Sequence, residues 1–147
     1  MEESAIRILD GRRVMAVSTV RPDGWPQTTI VGYANVGLLI YFIISRTSQK
    51  YANIRSDNRV AIAVGEEPAD LRSLQAVYSS AHAVEVTEDG EREQAWRLLA
   101  ERHPNLQAYV LPDQSDVAVM RARCEHASVL DYTKGFGHTE SFDARGG

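Results

Sequence analysis

The sequence predicts a mainly β protein: an antiparallel sheet of six or seven strands that closes into a barrel, with a few helices outside it. Three observations carry this. Strand-like runs rich in β-branched and apolar residues recur along the whole chain. The early runs are joined by short turns, as in a hairpin series. The helical segments are inserted singly and do not alternate with strands as a βαβ fold requires.

In chain order, "SAIRILDG" predicts a short helix with Ser4 as its cap, Ile6 and Leu9 three apart and Gly11 as its stop. "RVMAVSTV" (13–20) is a strand. Pro22, Asp23 and Gly24 in "RPDGWP" occupy turn positions, so "QTTIVGY" (27–33) is the return strand of a hairpin. "ANVG" turns into "LLIYFII" (38–44), which does not alternate, so both of its faces are expected to be buried. A helix follows over 48–56. "RVAIAV" (59–64) is a strand, "GEEPADLRS" a polar loop, and "LQAVYSSAHAVEV" (74–86) a long strand. "TEDGEREQAWRLLAERH" is the clearest helix. Thr87 is its predicted cap, Glu88, Asp89 and Glu91 suit the positive end of its dipole, and Trp96, Leu99 and Ala100 form its apolar face. "PNLQAYVLPDQSD" reads as irregular chain or a short helix. "VAVMRAR" and "ASVLDY" read as a last pair of strands, and about 135–147 as a tail.

The chain has 147 residues, with 44% apolar and 24% charged residues. That predicts one domain over 1–147, burying roughly 68–70% of the surface of the unfolded chain. The net charge of −4 argues against a nucleic-acid partner held by a basic surface. It also gives no reason to expect a membrane partner. A single cysteine, Cys124, makes neither an intrachain disulfide nor a thiolate zinc cluster. The charged start and the absence of a long apolar run predict a cytoplasmic chain with no membrane span.

The segment that points to chemistry is "SRTSQK", Ser45 to Lys50. A strand that delivers the chain into a helix leaves unpaired N–H groups at the helix N-terminus, and these favour an anion. Thr47 and Ser48 add hydroxyl donors, and Lys50 adds a point charge. First turns normally attract Asp or Glu, whereas here the flanking charges are Arg46 and Lys50. The plainer reading is an N-cap and a solvated lysine. A phosphate grip alone amounts to at most about 9 kcal/mol before association costs, so a tightly held ligand needs a flat apolar contact as well. The small and β-branched side chains of "QTTIVGY" suit one.

Residues 15–64, with their "DG.P" hairpin, "TTIVGY" strand, apolar strand and "SR.SQK..NI" followed by "RVAIAV", resemble the pyridoxamine 5'-phosphate oxidase-like, FMN-binding split-barrel family. "YSSAHAVEVTEDGE" (78–91) and "VLDYTKGFGHTE" (129–140) extend the resemblance to about residues 6–142. It implies a six- to seven-stranded antiparallel split β-barrel with flanking helices, and a homodimer with FMN at the subunit interface. Carried over by position, Ser45, Arg46, Ser48 and Lys50 hold the phosphate, with Thr47 and Gln49 beside them. Thr28, Thr29, Ile30 and Val31 line the isoalloxazine ring. Gln75, Tyr132 and Lys134 are further candidates facing a partner's flavin. Many members carry Arg at the position of Thr29 and Thr at that of Ile44, which opens the choice of cofactor. The tail lacks the basic and aromatic residues that mark vitamin-B6 oxidation.

The expected function is therefore an FMN-dependent oxidoreductase acting on a small molecule, with no side chain singled out as catalytic. The alternatives are a deazaflavin-dependent reductase, with Arg46, Arg55 and Arg59 widening the groove, and a non-catalytic flavin- or haem-binding protein. His82, His103, His126 and His138 lie too far apart in sequence for a zinc motif. His138, between glycines, is a remote haem-ligand candidate. Cys124 reads as a small buried residue, Trp96 as the anchor of its helix, and Trp25 as exposed or packed on a partner.

Overall fold

A computed structural model describes residues 1–109 and 116–146. Its elements are α1 (Glu2–Asp10), β1 (Val14–Val20), β2 (Pro26–Val36), β3 (Leu39–Ser45), α2 (Gln49–Ser56), β4 (Arg59–Gly65), β5 (Gln75–Glu85), α3 (Asp89–Arg102), β6 (Val117–Asp131) and β7 (Thr139–Asp143). All strand pairs are antiparallel, in the order β3-β2-β1-β4-β5-β6-β7, and β3 also pairs with β6. That closure makes a six-stranded barrel, with β7 added outside it.

Alternation fills the barrel. Met15 and Val17 of β1, Val60, Ile62 and Val64 of β4, and Val77, Ala81 and Ala83 of β5 point inward with Tyr33. The non-alternating β3 has the predicted two buried faces. Ile40, Phe42 and Ile44 enter the barrel, while Tyr41 joins Trp96 and Leu99 in a second cluster beneath α3. Each fully buried side chain of this size stabilises the fold by about 1.5–3 kcal/mol. Trp96 anchors α3 as expected, and Cys124 is fully buried.

The seam between β2 and β3 positions the candidate site. β3 pairs with β6 along its whole length, Leu39 to Ser45, but with β2 only from Tyr33↔Phe42 to Val36↔Leu39. Among the described residues, the first half of β2 pairs with β1 alone. Among the described residues the seam is therefore open between residues 28–32 and 43–45, and the turn into α2 leaves from its open end.

Several elements differ from the sequence reading. α1 begins at Glu2, so Ser4 lies within it and does not cap it. Glu88, not Thr87, caps α3: its carboxylate accepts N–H bonds from Gly90 (2.8 Å) and Glu91 (2.7 Å). The strand expected to end before "ANVG" runs on to Val36, and the turn is made by Gly37 at φ 59°. There the Asn35 amide donates to the Asp10 carboxylate and to Gly37 O. "VAVMRAR" and "ASVLDY" are one 15-residue strand, and the tail contributes β7. In "PNLQAYVLPDQSD", Leu106–Ala108 forms a 3-10 turn, while residues 110–115 lie outside the described residues. Trp25 is exposed. Among the described residues, no helix is long and apolar enough to cross a membrane.

Candidate functional site

The predicted anion segment folds into the turn between β3 and α2, and its donors can be counted. The Arg46 N–H donates to Asp116 O, the Thr47 N–H to Ser45 Oγ, and the Ser48 N–H to Ser45 O. Ser48 is the N-cap: its Oγ accepts from the Tyr51 N–H (3.2 Å) and spends its own proton on Ser45 O (2.6 Å). Ser48 therefore shapes the turn, with its hydroxyl bonded on both sides within it. Ser45 and Thr47 share one hydroxyl–hydroxyl bond of 2.8 Å, which leaves one of their two protons available. The N–H groups of Gln49 and Lys50, at the start of α2, have no acceptor among the described residues, as a helix start dictates. The first turn holds no acid. The Lys50 ammonium makes no ion pair or hydrogen bond among the described residues. This donor set suits a phosphate.

Arg46 is differently engaged. Its guanidinium pairs with Glu85 at 2.6 Å and donates to the Tyr51 hydroxyl at 3.0 Å. Tyr51 in turn donates to Glu85 (2.7 Å). Burial pushes the Glu85 carboxyl up, but the bonds from Tyr51 and Arg46 outweigh it and hold the group below its ordinary value. Arg55 stacks over the Tyr51 ring, 5.8 Å from its centroid, and Arg59 is held by Asp57 at 2.6 Å. The three arginines considered for a wider groove thus each have a partner within the chain. Among the described residues, Lys50 is the α2 cation with no ion-pair, hydrogen-bond or ring partner.

A buried network ties α2 to the first hairpin. Asn53, fully buried, donates to Thr19 Oγ1 (3.0 Å) and Gln27 Oε1 (3.2 Å), and its own carbonyl accepts from Gln49 (2.8 Å). Gln49, a predicted site residue, is thereby a positioning residue for α2.

The four β2 candidates divide between two faces. Thr28 and Ile30 are exposed on the outer face of the barrel, and Val31 is buried in its core. The Thr29 hydroxyl is shielded from solvent and has no hydrogen-bond partner among the described residues. A flat group laid on one face of β2 could meet the side chains of one pair only. The backbone offers more. Because Tyr33 N–H donates to Arg13 O across the β1–β2 ladder, alternation sends the amides of Thr28 and Ile30 to the other edge, into the open seam. These amides are suited to the polar rim of a ring.

On the outer face, the Thr28 and Ser18 hydroxyls share a 2.7 Å bond. A shallow groove of about 370 Å³ runs there over Ala16, Ala61, Ala63 and Ser80, with Tyr78 and His126 at its sides. Gln75 and Tyr132 lie together, since Gln75 pairs with Asp131 and Tyr132 N–H donates to Leu74 O. Lys134 sits 3.9 Å from Glu140, which also bonds His138 at 3.1 Å. The structure does not bring these three next to Lys50. Tyr51, Asn53 and Glu85 were missed in the sequence; a polar Asn inside "YANI" was the one available signal.

A family model described as Pyridoxamine 5'-phosphate oxidase matches residues 1–131. No curated protein matches the chain. Among solved structures, the chain is similar to a heme binding protein from Mycobacterium smegmatis, with 22% identity and a TM-score of 0.85 over 98% of this chain and 58% of that one. It is also similar to a conserved hypothetical protein from Mycobacterium tuberculosis, with 21% identity and a TM-score of 0.79 over 99% and 94%. A FAD-binding protein from Mesorhizobium loti has 20% identity and a TM-score of 0.71 over 86% and 91%. The chain spans less than two thirds of the first of these proteins. At such identities the likeness is one of fold.

Proposed function

Because this chain belongs to the pyridoxamine 5'-phosphate oxidase family, we propose that it binds flavin mononucleotide, with the phosphate at the start of α2 and the ring along the open edge of β2. The observation that carries this reading is the pairing, among the described residues, of an uncommitted donor set with an unpaired strand edge at one end of one seam. Lys50, the Gln49 and Lys50 N–H groups and one proton of the Ser45–Thr47 pair would hold the phosphate. Thr28 and Ile30 would meet the ring, with Thr29 and Val31 behind them. Arg46 acts through Glu85 and Tyr51 to fix the turn.

Bound there, the flavin supplies hydride or electron transfer between a reduced donor and a small molecule. The chain's own residues bind it, orient it and shield one side of it. We place no acid or base among them. On this reading residues 1–147 form one cytoplasmic flavin-binding domain.

Dimerisation belongs to the same proposal. The outer face exposes Val14, Ile30 and Tyr78 beside the small residues of the groove, and a second copy would cover that apolar surface.

Haem is the second reading, favoured by the fold's likeness to a heme binding protein. His126, exposed at the groove, is the histidine placed to serve it. Incubation with FMN and, separately, with haem, followed by desalting and visible absorption, tests both. A retained flavin band with stoichiometry near one per chain is expected. A retained Soret band with no flavin band would transfer the assignment to haem. A flavin band without turnover of reduced nicotinamide would keep the site and remove the oxidoreductase.

A further inference from the structure

We propose a second ligand site, for an organic anion with an apolar body of one or two rings, in the cleft between the C-terminal end of α3 and the β2–β3 seam. The cleft has a volume of about 370 Å³, within the range that small ligands occupy. Its floor is apolar: Ile43 of β3, Leu99 of α3, fully buried, and Leu106 of the following turn.

Its charged groups among the described residues are cationic. Arg13 lies on the wall, exposed, and makes no ion pair or side-chain hydrogen bond among the described residues. The Arg102 guanidinium stacks over the Tyr33 ring, 5.3 Å from its centroid, and its hydrogen bonds among the described residues go to neutral oxygens: Nη1 donates to Leu9 O (3.3 Å), to Arg12 O (3.5 Å) and to Asn35 Oδ1 (2.6 Å). Its positive charge therefore has no carboxylate among its bonded partners, and it opposes the negative end of the α3 dipole. His103 Nε2–H donates to Tyr33 O at 2.9 Å, which fixes the ring and leaves the Nδ1 lone pair without a partner among the described residues.

Gly32 makes this arrangement possible. A Cβ there would lie 3.1 Å from His103 Cε1 and 3.3 Å from Nε2, so the imidazole packs directly on the strand. Two guanidinium groups above an apolar floor, with no acid lining the cleft among the described residues, are complementary to a carboxylate or sulfonate on a flat hydrocarbon. The exposed Tyr109 stands at the rim. A neutral or cationic ligand would leave both charges uncompensated. The cleft borders the seam given to the flavin ring at Gly32 and Ile43 but uses none of the residues assigned to the flavin itself, so competition with FMN decides whether the two sites are separate.

The test is isothermal titration of the full chain with 1-naphthoate and with the neutral 1-naphthylmethanol, each with and without saturating FMN. Naphthoate is expected to bind saturably at one per chain, about tenfold more weakly in Arg13→Ala, with the alcohol unaffected by that change. Leu106→Trp, which fills the floor, should abolish binding of both. The His103 ring resonances should shift on addition of naphthoate and not in Leu106→Trp. Failure of naphthoate to saturate, affinity unchanged in both variants, or displacement by FMN would each overturn the proposal.

Discussion

Lys50→Ala separates the ligand's contribution from the protein's, because the two respond with opposite sign. Lys50 makes no ion pair or hydrogen bond among the described residues and sits in the first turn of a helix whose dipole is positive there and which carries no acid. Removing it should relieve about 0.3–1 kcal/mol of unfavourable charge–dipole interaction. That raises the melting temperature of the ligand-free protein by about 1–4 °C. The same change removes a charge-assisted contact to the phosphate, worth about 1.5–3 kcal/mol. That weakens FMN binding by about 10- to 150-fold. Fluorescence titration of FMN gives the affinity, and thermal melts with and without FMN give the two stabilities. The stabilisation produced by a fixed FMN concentration should shrink with the affinity. Unchanged FMN affinity would remove Lys50 from the site. A ligand-free melting temperature lowered by several degrees would refute the claim that Lys50 is uncommitted.

Asn53→Ala should destabilise the chain by about 1–3 kcal/mol, because it leaves the Thr19 hydroxyl and the Gln27 and Gln49 amides without their buried partner; urea denaturation measures this. Glu85 has its carboxyl held below its ordinary value of 4.5 in the folded state. Its stabilising contribution is therefore complete above that value and is lost as the pH falls through the lowered folded value. Denaturation midpoints taken downward from pH 5 should fall more steeply in the wild type than in Glu85→Gln. Ala61→Arg, on the outer face opposite Ser18 and Ser80, should convert a dimer to a monomer in sedimentation velocity with the circular dichroism unchanged; a wild-type monomer in the presence of FMN would remove the dimer.

Much of the fold was legible because local pattern and tertiary role agree. "LLIYFII" lacks alternation since β3 is buried on two sides, by the barrel and by α3. Ser48 caps α2 as its residue type and place suggest. The misreadings have specific causes. The β6 strand looked like two because "CEH" carries charge in the middle. In the structure, β5 and β6 shift register there: Ser79 faces Ala127 and Ala81 faces Cys124. Glu125 and His126 thus stand opposite the single residue Ser80, a bulge that turns polar side chains outward without ending the strand. Thr87 and Glu88 are both capping types, and only the geometry of the turn selects the carboxylate.

At the site, the hydroxyls and Lys50 could be read from residue type, whereas the engagement of Arg46 could not. Its partner Glu85 comes from the far end of β5, beyond the reach of any local spacing. The open seam was equally hidden, since it exists because β3 leaves β2 to follow β6. That is a long-range pairing with no local signature.

The central claim is that the donors at the start of α2 hold the phosphate of a flavin. The most direct test is the ratio of FMN to riboflavin affinity, measured on the wild type and on Lys50→Ala by the same titration. The two ligands share the ring and the ribityl chain and differ in the phosphate. The wild type should prefer FMN by at least about 100-fold, since more than one charge-assisted bond is at stake. Lys50→Ala should lose about 10- to 150-fold of that preference while binding riboflavin as before. Equal binding of FMN and riboflavin by the wild type would contradict the account.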